Sequence, residues 1–184
     1  MRSLIVSCNV TVDGFMAGLG NDLASLDFIV PDSEQENALA ARFREVADTI
    51  VFGRQTFLDM EAYWTKVDSD MAAWINATPK VVLSTDSGAD VSIWNNTTLA
   101  AGDGAERVRR LKASEGGGLV MFGGVQTIRS MIAADLVDEY WLKISPVAVG
   151  QGSSMFADLP ERRSLTLRGA KGYPSGMLDV TYAK

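Results

Sequence analysis

Short β-branched and apolar runs recur along this chain, each ending in glycine or a hydroxyl residue and followed by helix-patterned sequence. This alternation constrains the fold more than any other feature. TIVFG at 49–53 leads into Arg54–Gln55–Thr56, where a helix begins. LVMF at 119–122 leads into Gly123–Gly124 and then a segment with Ile128, Met131 and Ile132 at helical spacing. Strand–helix alternation of this kind gives a mostly parallel sheet with helices on both faces.

The remaining elements fit the same plan. Residues 2–10 (RSLIVSCNV) read as a buried strand, followed by a long polar, glycine-containing stretch from Asp13 to Asp32. EQENALAARFREVA at 34–47 predicts an amphipathic helix whose early acids match its dipole. Ser69 predicts the N-cap of a short helix, MAAWINA, and Pro79 opens a strand at 80–84. A weaker strand at 97–100, a helix after Asp103 closed by Gly116–Gly117–Gly118, and a long strand at 137–147 follow. Strands near 164–171 and 177–183, joined by Tyr173–Pro174–Ser175–Gly176, predict a C-terminal antiparallel hairpin. The length of 184 residues suits one domain.

Composition removes whole classes of chemistry. The chain has no histidine and one cysteine, Cys8, so histidine acid–base catalysis, Ser-His-Asp triads, Cys/His zinc sites and an internal disulfide are all excluded. Cys8 lies in an apolar run and reads as a core residue. A net charge of −6, with no basic run interleaved with aromatics, argues against nucleic acid. No apolar run approaches a membrane span and no signal-peptide pattern opens the chain, so the expected setting is cytoplasmic. No metal site is expected.

Three strand ends carry candidate binding residues. Gly53 permits a tight turn, and the following helix start adds free N–H groups, the Arg54 guanidinium and the Thr56 hydroxyl, a set suited to phosphate. A plain strand-to-helix turn with a solvated arginine competes with that reading. Leu83–Ser84–Thr85 place two hydroxyls at a strand end, where they either meet a ribose phosphate or initiate a turn. Gly123–Gly124, with Gln126 and Thr127 beyond, let a pyrophosphate approach the backbone or simply make a turn.

These segments, taken in order, resemble a known family. VSCNVTVDGFMAG from Val6 to Gly18, GRQTF, KVVLST, VMFGGVQTIRSM and LVDEYWLKISPVAVGQGSSMF are similar to the dihydrofolate reductase superfamily. The nearest branch is the bacterial group resembling the C-terminal reductase domain of the bifunctional riboflavin-biosynthesis deaminase/reductase. The resemblance implies a mixed, mostly parallel eight-stranded sheet flanked by about four helices, with NADPH across the strand ends. It assigns Gly53, Arg54 and Thr56 to the cofactor phosphates and Ser84 and Thr85, beside Leu83, to the 2′-phosphate. Gly123, Gly124, Gln126 and Thr127 fall at the pyrophosphate, and the stretch from Asn9 through Gly14 to Gly18 at the nicotinamide. Asp13 is either a turn residue or a polar catalytic group.

The substrate side departs from both relatives. Counting back from Gly53, the carboxylate of dihydrofolate reductases and an arginine of the riboflavin reductases both fall on Asn37. Glu34 and Glu36 stand beside it, either as helix-start acids facing solvent or as substitutes. The other cleft candidates are Arg44, Tyr63, Trp64 and the loop Gly150–Ser153; Trp64 is either a flat wall for a ring or core filler.

The resulting expectation is an NADPH-dependent reductase of a small heterocyclic substrate, similar to 5-amino-6-(5-phosphoribosylamino)uracil reductase, its proton coming from water or a nearby acid. The alternatives are a pteridine reductase of the dihydrofolate type, a non-catalytic nucleotide-binding protein, or a flavin or deazaflavin in place of NADPH. A homodimer through sheet edges, using strand 137–147, is expected from the same branch.

Overall fold

The computed structural model describes residues 1–18, 26–159 and 161–184; the middle of the Asp13–Asp32 stretch lies outside them. The elements follow in chain order. They are β1 (Leu4–Thr11), α1 (Ser33–Val46), β2 (Ala47–Gly53), α2 (Arg54–Trp64), α3 (Asp70–Ala77), β3 (Lys80–Ser84) and β4 (Thr97–Ala101), then α4 (Gly104–Ala113), β5 (Gly118–Phe122), α5 (Val125–Ala133), β6 (Glu139–Ser145), β7 (Thr166–Gly172) and β8 (Leu178–Ala183). One eight-stranded sheet runs in the order β4-β3-β2-β5-β1-β6-β8-β7. The first six strands in that order are parallel, and β8 and β7 add an antiparallel hairpin. Five helices are seen among the described residues where about four were expected, MAAWINA being the short helix expected after Ser69.

Period-two alternation divides the core between the faces. Leu4, Val6, Cys8 and Val10 of β1 point with Val51, Leu119 and Met121 toward Val108 of α4 and Ile128, Met131 and Ile132 of α5. Ile5, Ile50, Phe52, Val82, Val120, Phe122 and Trp141 point the other way, toward Leu39 and Phe43 of α1, Phe57 of α2 and Met71, Trp74 and Ile75 of α3. Phe43 is the hub of this second face. It stacks on Trp74 at 4.9 Å and on Trp141 at 5.2 Å, and meets Phe122 edge-on at 5.4 Å. Such pairs add to the area they bury, roughly 0.5–1.5 kcal/mol each. Cys8 is a core residue as expected; burial pushes its thiol up to about 12.

Helix ends follow local chemistry. The Asp32, Ser69 and Asp103 side chains accept from the backbone N–H groups of Gln35, Ala72 and Glu106, capping α1, α3 and α4. The helix after Asp103 stops at Ala113, short of the glycine run, and Gly118 already belongs to β5.

One expectation is corrected by topology. The strand expected over 137–147 is β6, paired on one side with β1 and on the other with β8, so both its edges are occupied. The free edges are those of β4 and β7, and every residue of β7 is exposed. No helix among the described residues is long and apolar enough to cross a membrane.

Lys80 opens β3 with a side chain 1% exposed. Its ammonium donates to the carbonyls of Asn76, Thr78 and Asn95 and lies 4.7 Å from the Trp94 ring centroid, with no carboxylate of a described residue in an ion pair. Burial pushes this amine down to about 8 from an ordinary 10.5. Below pH 8 both folded and unfolded chains hold the proton. Between about 8 and 10.5 the unfolded chain holds more, so stability rises with pH across that window. Denaturant unfolding at pH 7, 8, 9 and 10 therefore shows a gain of about 1–3 kcal/mol, and Lys80→Met reduces it. Parallel profiles for the two proteins would refute the account.

Candidate active site at the carboxyl edge of the sheet

Because β2 and β5 are adjacent and parallel, α2 and α5 start side by side at the carboxyl edge. Both helices begin at glycine, Gly53 and Gly124, and neither has a side-chain cap. Their first N–H groups thus lack the partners that Asp32, Ser69 and Asp103 give the other helices, and two positive dipole ends converge.

The two turns interlock. Gly123 and Gly124 have φ of +53° and +68°, a left-handed backbone that favours glycine. A Cβ on Gly123 would stand 3.0 Å from Thr56 Cγ2, and one on Gly124 2.9 Å from Thr56 Oγ1. A Cβ on Gly53 would collide with the Thr127 hydroxyl. Each threonine therefore sits over the other helix's glycine, and both hydroxyls lie at the shared edge. Among the expected phosphate residues the structure brings Gly53, Thr56, Gly123, Gly124 and Thr127 together; Gln126 is exposed on the first turn of α5.

Arg54 starts α2, and its guanidinium donates to the Asp90 carbonyl at 2.8 Å, which fixes it at the rim between β2 and the β3–β4 loop. Ser84 ends β3 and its hydroxyl accepts from the Asp86 N–H, while Thr85 is exposed. The Leu83 side chain belongs to the core against α4 and α5, so only its backbone borders the edge.

Next to this cradle the sheet opens. β1 pairs with β5 only from Leu4 to Ser7 but with β6 as far as Thr11. Residues 8–11 therefore run on beyond the Gly123–Gly124 turn with β6 alone beside them. Thr11, Asn9 and Ser7 share the face covered by α1, as do Ser145, Lys143 and Trp141 of β6 and Asp179 of β8.

Loops wall this opening. The Met16 N–H donates to the Ser153 carbonyl at 2.7 Å, and the Ser153 N–H donates to the Ala17 carbonyl at 2.8 Å. Gly152 packs on the Ala17 carbonyl, where a Cβ would collide. The Asp13 carboxylate accepts from the Thr11 hydroxyl, at 2.5 Å, and from the N–H groups of Val149 and Gly150, at 3.1 and 2.7 Å. The Thr11 and Gly150 hydrogen bonds hold its carboxyl below the usual range. Both oxygens are occupied and the shift runs against proton donation, so Asp13 is a loop staple. Gly14, at φ +88°, is the turn beside it.

Three substrate candidates stand elsewhere. Asn37 lies on the exposed face of α1, whereas Gln35, Leu39 and Phe43 point to the sheet. Glu36, half-buried, is near enough to Lys143 to raise that ammonium's proton affinity. Arg44 lies in the last turn of α1, roughly 16 Å from its start at 1.5 Å per residue, and pairs with Asp70. Trp64 ends α2, packs against the aromatic core and donates to Met60 Sδ; its carbonyl accepts from Asn76. It is core filler.

Sequence reading missed Lys143 and Asp179, which strand register alone brings together. The Gln35 amide at 2.5 Å and the Tyr173 hydroxyl at 3.1 Å donate to Asp179. Desolvation raises the Asp179 pKa and lowers that of Lys143. Beside them a groove of about 280 Å³ runs between α1 and the hairpin, lined by Arg42, Arg168, Lys171 and Tyr173 among others. Among the described residues no cluster of three His, Cys, Asp or Glu could hold a metal ion.

Comparison with known proteins agrees with this architecture. The chain is 28% identical over 186 residues to the uncharacterized protein YyaP of Bacillus subtilis (strain 168), covering 98% of this chain and 94% of that one. It superposes with TM-score 0.76 at 23% identity on a Shewanella sp. PV-4 protein whose name places it in riboflavin biosynthesis, covering 99% and 98% of the two chains. A Thermotoga maritima diaminohydroxyphosphoribosylaminopyrimidine deaminase/5-amino-6-(5-phosphoribosylamino)uracil reductase gives TM-score 0.69 at 12% identity, over 99% of this chain and 56% of that one. The family model described as the RibD C-terminal domain matches residues 2–178, and the chain therefore belongs to that reductase-like family, with its dihydrofolate reductase-like fold.

Proposed function

We propose that this protein is an NADPH-dependent reductase that transfers a hydride to a small heterocyclic substrate related to 5-amino-6-(5-phosphoribosylamino)uracil. The observation that carries the reading is the pair of glycine-started, uncapped helices at the ends of β2 and β5, beside the opening where β1 runs past β5. A cradle that no Cβ fits, flanked by two hydroxyls and free N–H donors, suits a pyrophosphate. When bound, NADPH supplies the hydride.

The chain's own residues would do the rest. The N–H groups following Gly53 and Gly124, with the Thr56 and Thr127 hydroxyls, donate to phosphate oxygens. Arg54, Ser84 and Thr85 serve the 2′-phosphate from the rim, and Asn9 and Gly14 border the nicotinamide. Glu36, half-buried and near Lys143, would supply the carboxylate that Asn37 does not. The α1 face and the stapled loops orient donor and acceptor and exclude water, and orientation is the main source of acceleration in such a step. The reading includes a cytoplasmic setting and a homodimer, checked by sedimentation.

Two measurements test it. Fluorescence titration should give NADPH binding tighter than NADH, with Arg54→Ala weakening NADPH about tenfold, roughly 1.4 kcal/mol, and changing NADH little. Equal binding of the two cofactors, or none, would remove the cofactor assignment. Gly53→Ala should lower stability by about 1–3 kcal/mol through overpacking. Gly53→Ala combined with Thr127→Ala should recover most of that loss, yet bind NADPH more weakly than wild type. A double variant as unstable as the single one would place the strain elsewhere.

A further inference from the structure

Polar groups without partners gather on one patch of the sheet. Ser7 and Ser145 are 1% and 0% exposed, and neither hydroxyl has a hydrogen-bond partner among the described residues. Lys143 lies between them on the same face, half-buried, in register with Asn9 of β1 and Asp179 of β8 and beside Leu39 and Arg42 of α1. Its ammonium makes no hydrogen bond or ion pair with any described residue, unlike Lys80, Lys112, Lys171 and Lys184. The nearest carboxylate in register, Asp179, is turned to Gln35 and Tyr173. Unsatisfied buried polar atoms are rare, and a cluster of them beside an unpaired cation marks a place where a ligand supplies the missing partners.

We propose that Lys143 is a catalytic residue that faces the substrate, holding the heteroatom of the C=N or C=O group to be reduced and delivering the proton that accompanies hydride transfer. This rests on the reductase reading above. The hydride brings two electrons to the acceptor carbon, the π bond opens, and its pair moves to nitrogen or oxygen. That atom takes a proton as an Nζ–H bond of Lys143 breaks. NADPH leaves as NADP⁺, and the neutral amine regains its proton from solvent. The chain has no histidine for this step, and Asp13 is committed to its loop. Desolvation already lowers the proton affinity of Lys143, in the direction a donor near neutral pH requires. The groups facing it are Glu36 and Arg42 from α1, Asn9 from β1 and Asp179 from β8, while the Cys8 thiol lies across the sheet. Glu36, Asp179 and the Cys8 thiol offset part of that lowering.

Cyanate labelling at pH 7.5 with peptide mapping tests the geometry without turnover, because cyanate carbamylates neutral, accessible amines. Lys143 should react several-fold faster than exposed Lys66, while Lys80, enclosed by three carbonyls, should lag. Reaction at Lys143 no faster than at Lys66 overturns the proposal. For the chemistry, Lys143→Gln and Lys143→Met are compared with wild type using NADPH and 5-amino-6-(5-phosphoribosylamino)uracil. NADPH affinity should stay within twofold in both. The Gln variant should keep KM within a few-fold while kcat falls about 10²-fold or more, and the decline of kcat at high pH expected of wild type should vanish. A kcat within threefold of wild type in both variants overturns the proton role. Wild type that fails to bind NADPH overturns the reductase reading instead, and the labelling result then decides whether Lys143 faces a ligand at all.

Discussion

Everything at the carboxyl edge depends on the parallel pairing of β2 with β5. Two neighbouring parallel strands oblige their following helices to start side by side, and the chain has put glycine at both starts. The threonine of each first turn then occupies the space over the other glycine. The result concentrates uncapped N–H groups where an anion can satisfy them. Capping these helices as α1, α3 and α4 are capped would gain only a few tenths of a kcal/mol each over glycine and would occupy the very donors the site offers.

The second constraint is stagger. β1 ends four residues past its pairing with β5 but stays in register with β6 to Thr11. One strand thereby serves the core at Leu4–Val6 and the cleft at Asn9–Thr11. The same alternation that buries Val6, Cys8 and Val10 against α4 and α5 delivers Ser7, Asn9 and Thr11 to the face under α1. Packing and site chemistry are therefore separated by the pleat as well as by position along the strand.

What the sequence disclosed follows from this. Gly53, Gly123–Gly124, Asp32, Ser69 and Asp103 were legible because a turn or a cap requires their residue types locally. Asn37 came from an ungapped count, which carries no information about helix phase; its side chain is exposed, and one residue, or about 100° of rotation, separates it from half-buried Glu36. Arg44 and Trp64 were placed in the cleft by residue type, yet each sits at the distal end of its helix. Lys143 and Asp179 were invisible because antiparallel register between β6 and β8, set only when the hairpin folds back, makes them neighbours. The same return of the hairpin takes up the edge of β6, which the sequence alone shows as a long free strand.

The loops after β1 and β6 have a consequence of their own. Asp13 reaches Val149 and Gly150, Ala17 bridges Ser153, and Arg129 of α5 donates to the Ser154 carbonyl. Neither loop can fray by itself, since each supplies the other's backbone partners. They form one cooperative opening unit whose amides share a single local unfolding free energy. The rate at which this side of the cleft is exposed to solvent is then set jointly by residues more than 130 positions apart, and loosening either loop speeds the breathing of both.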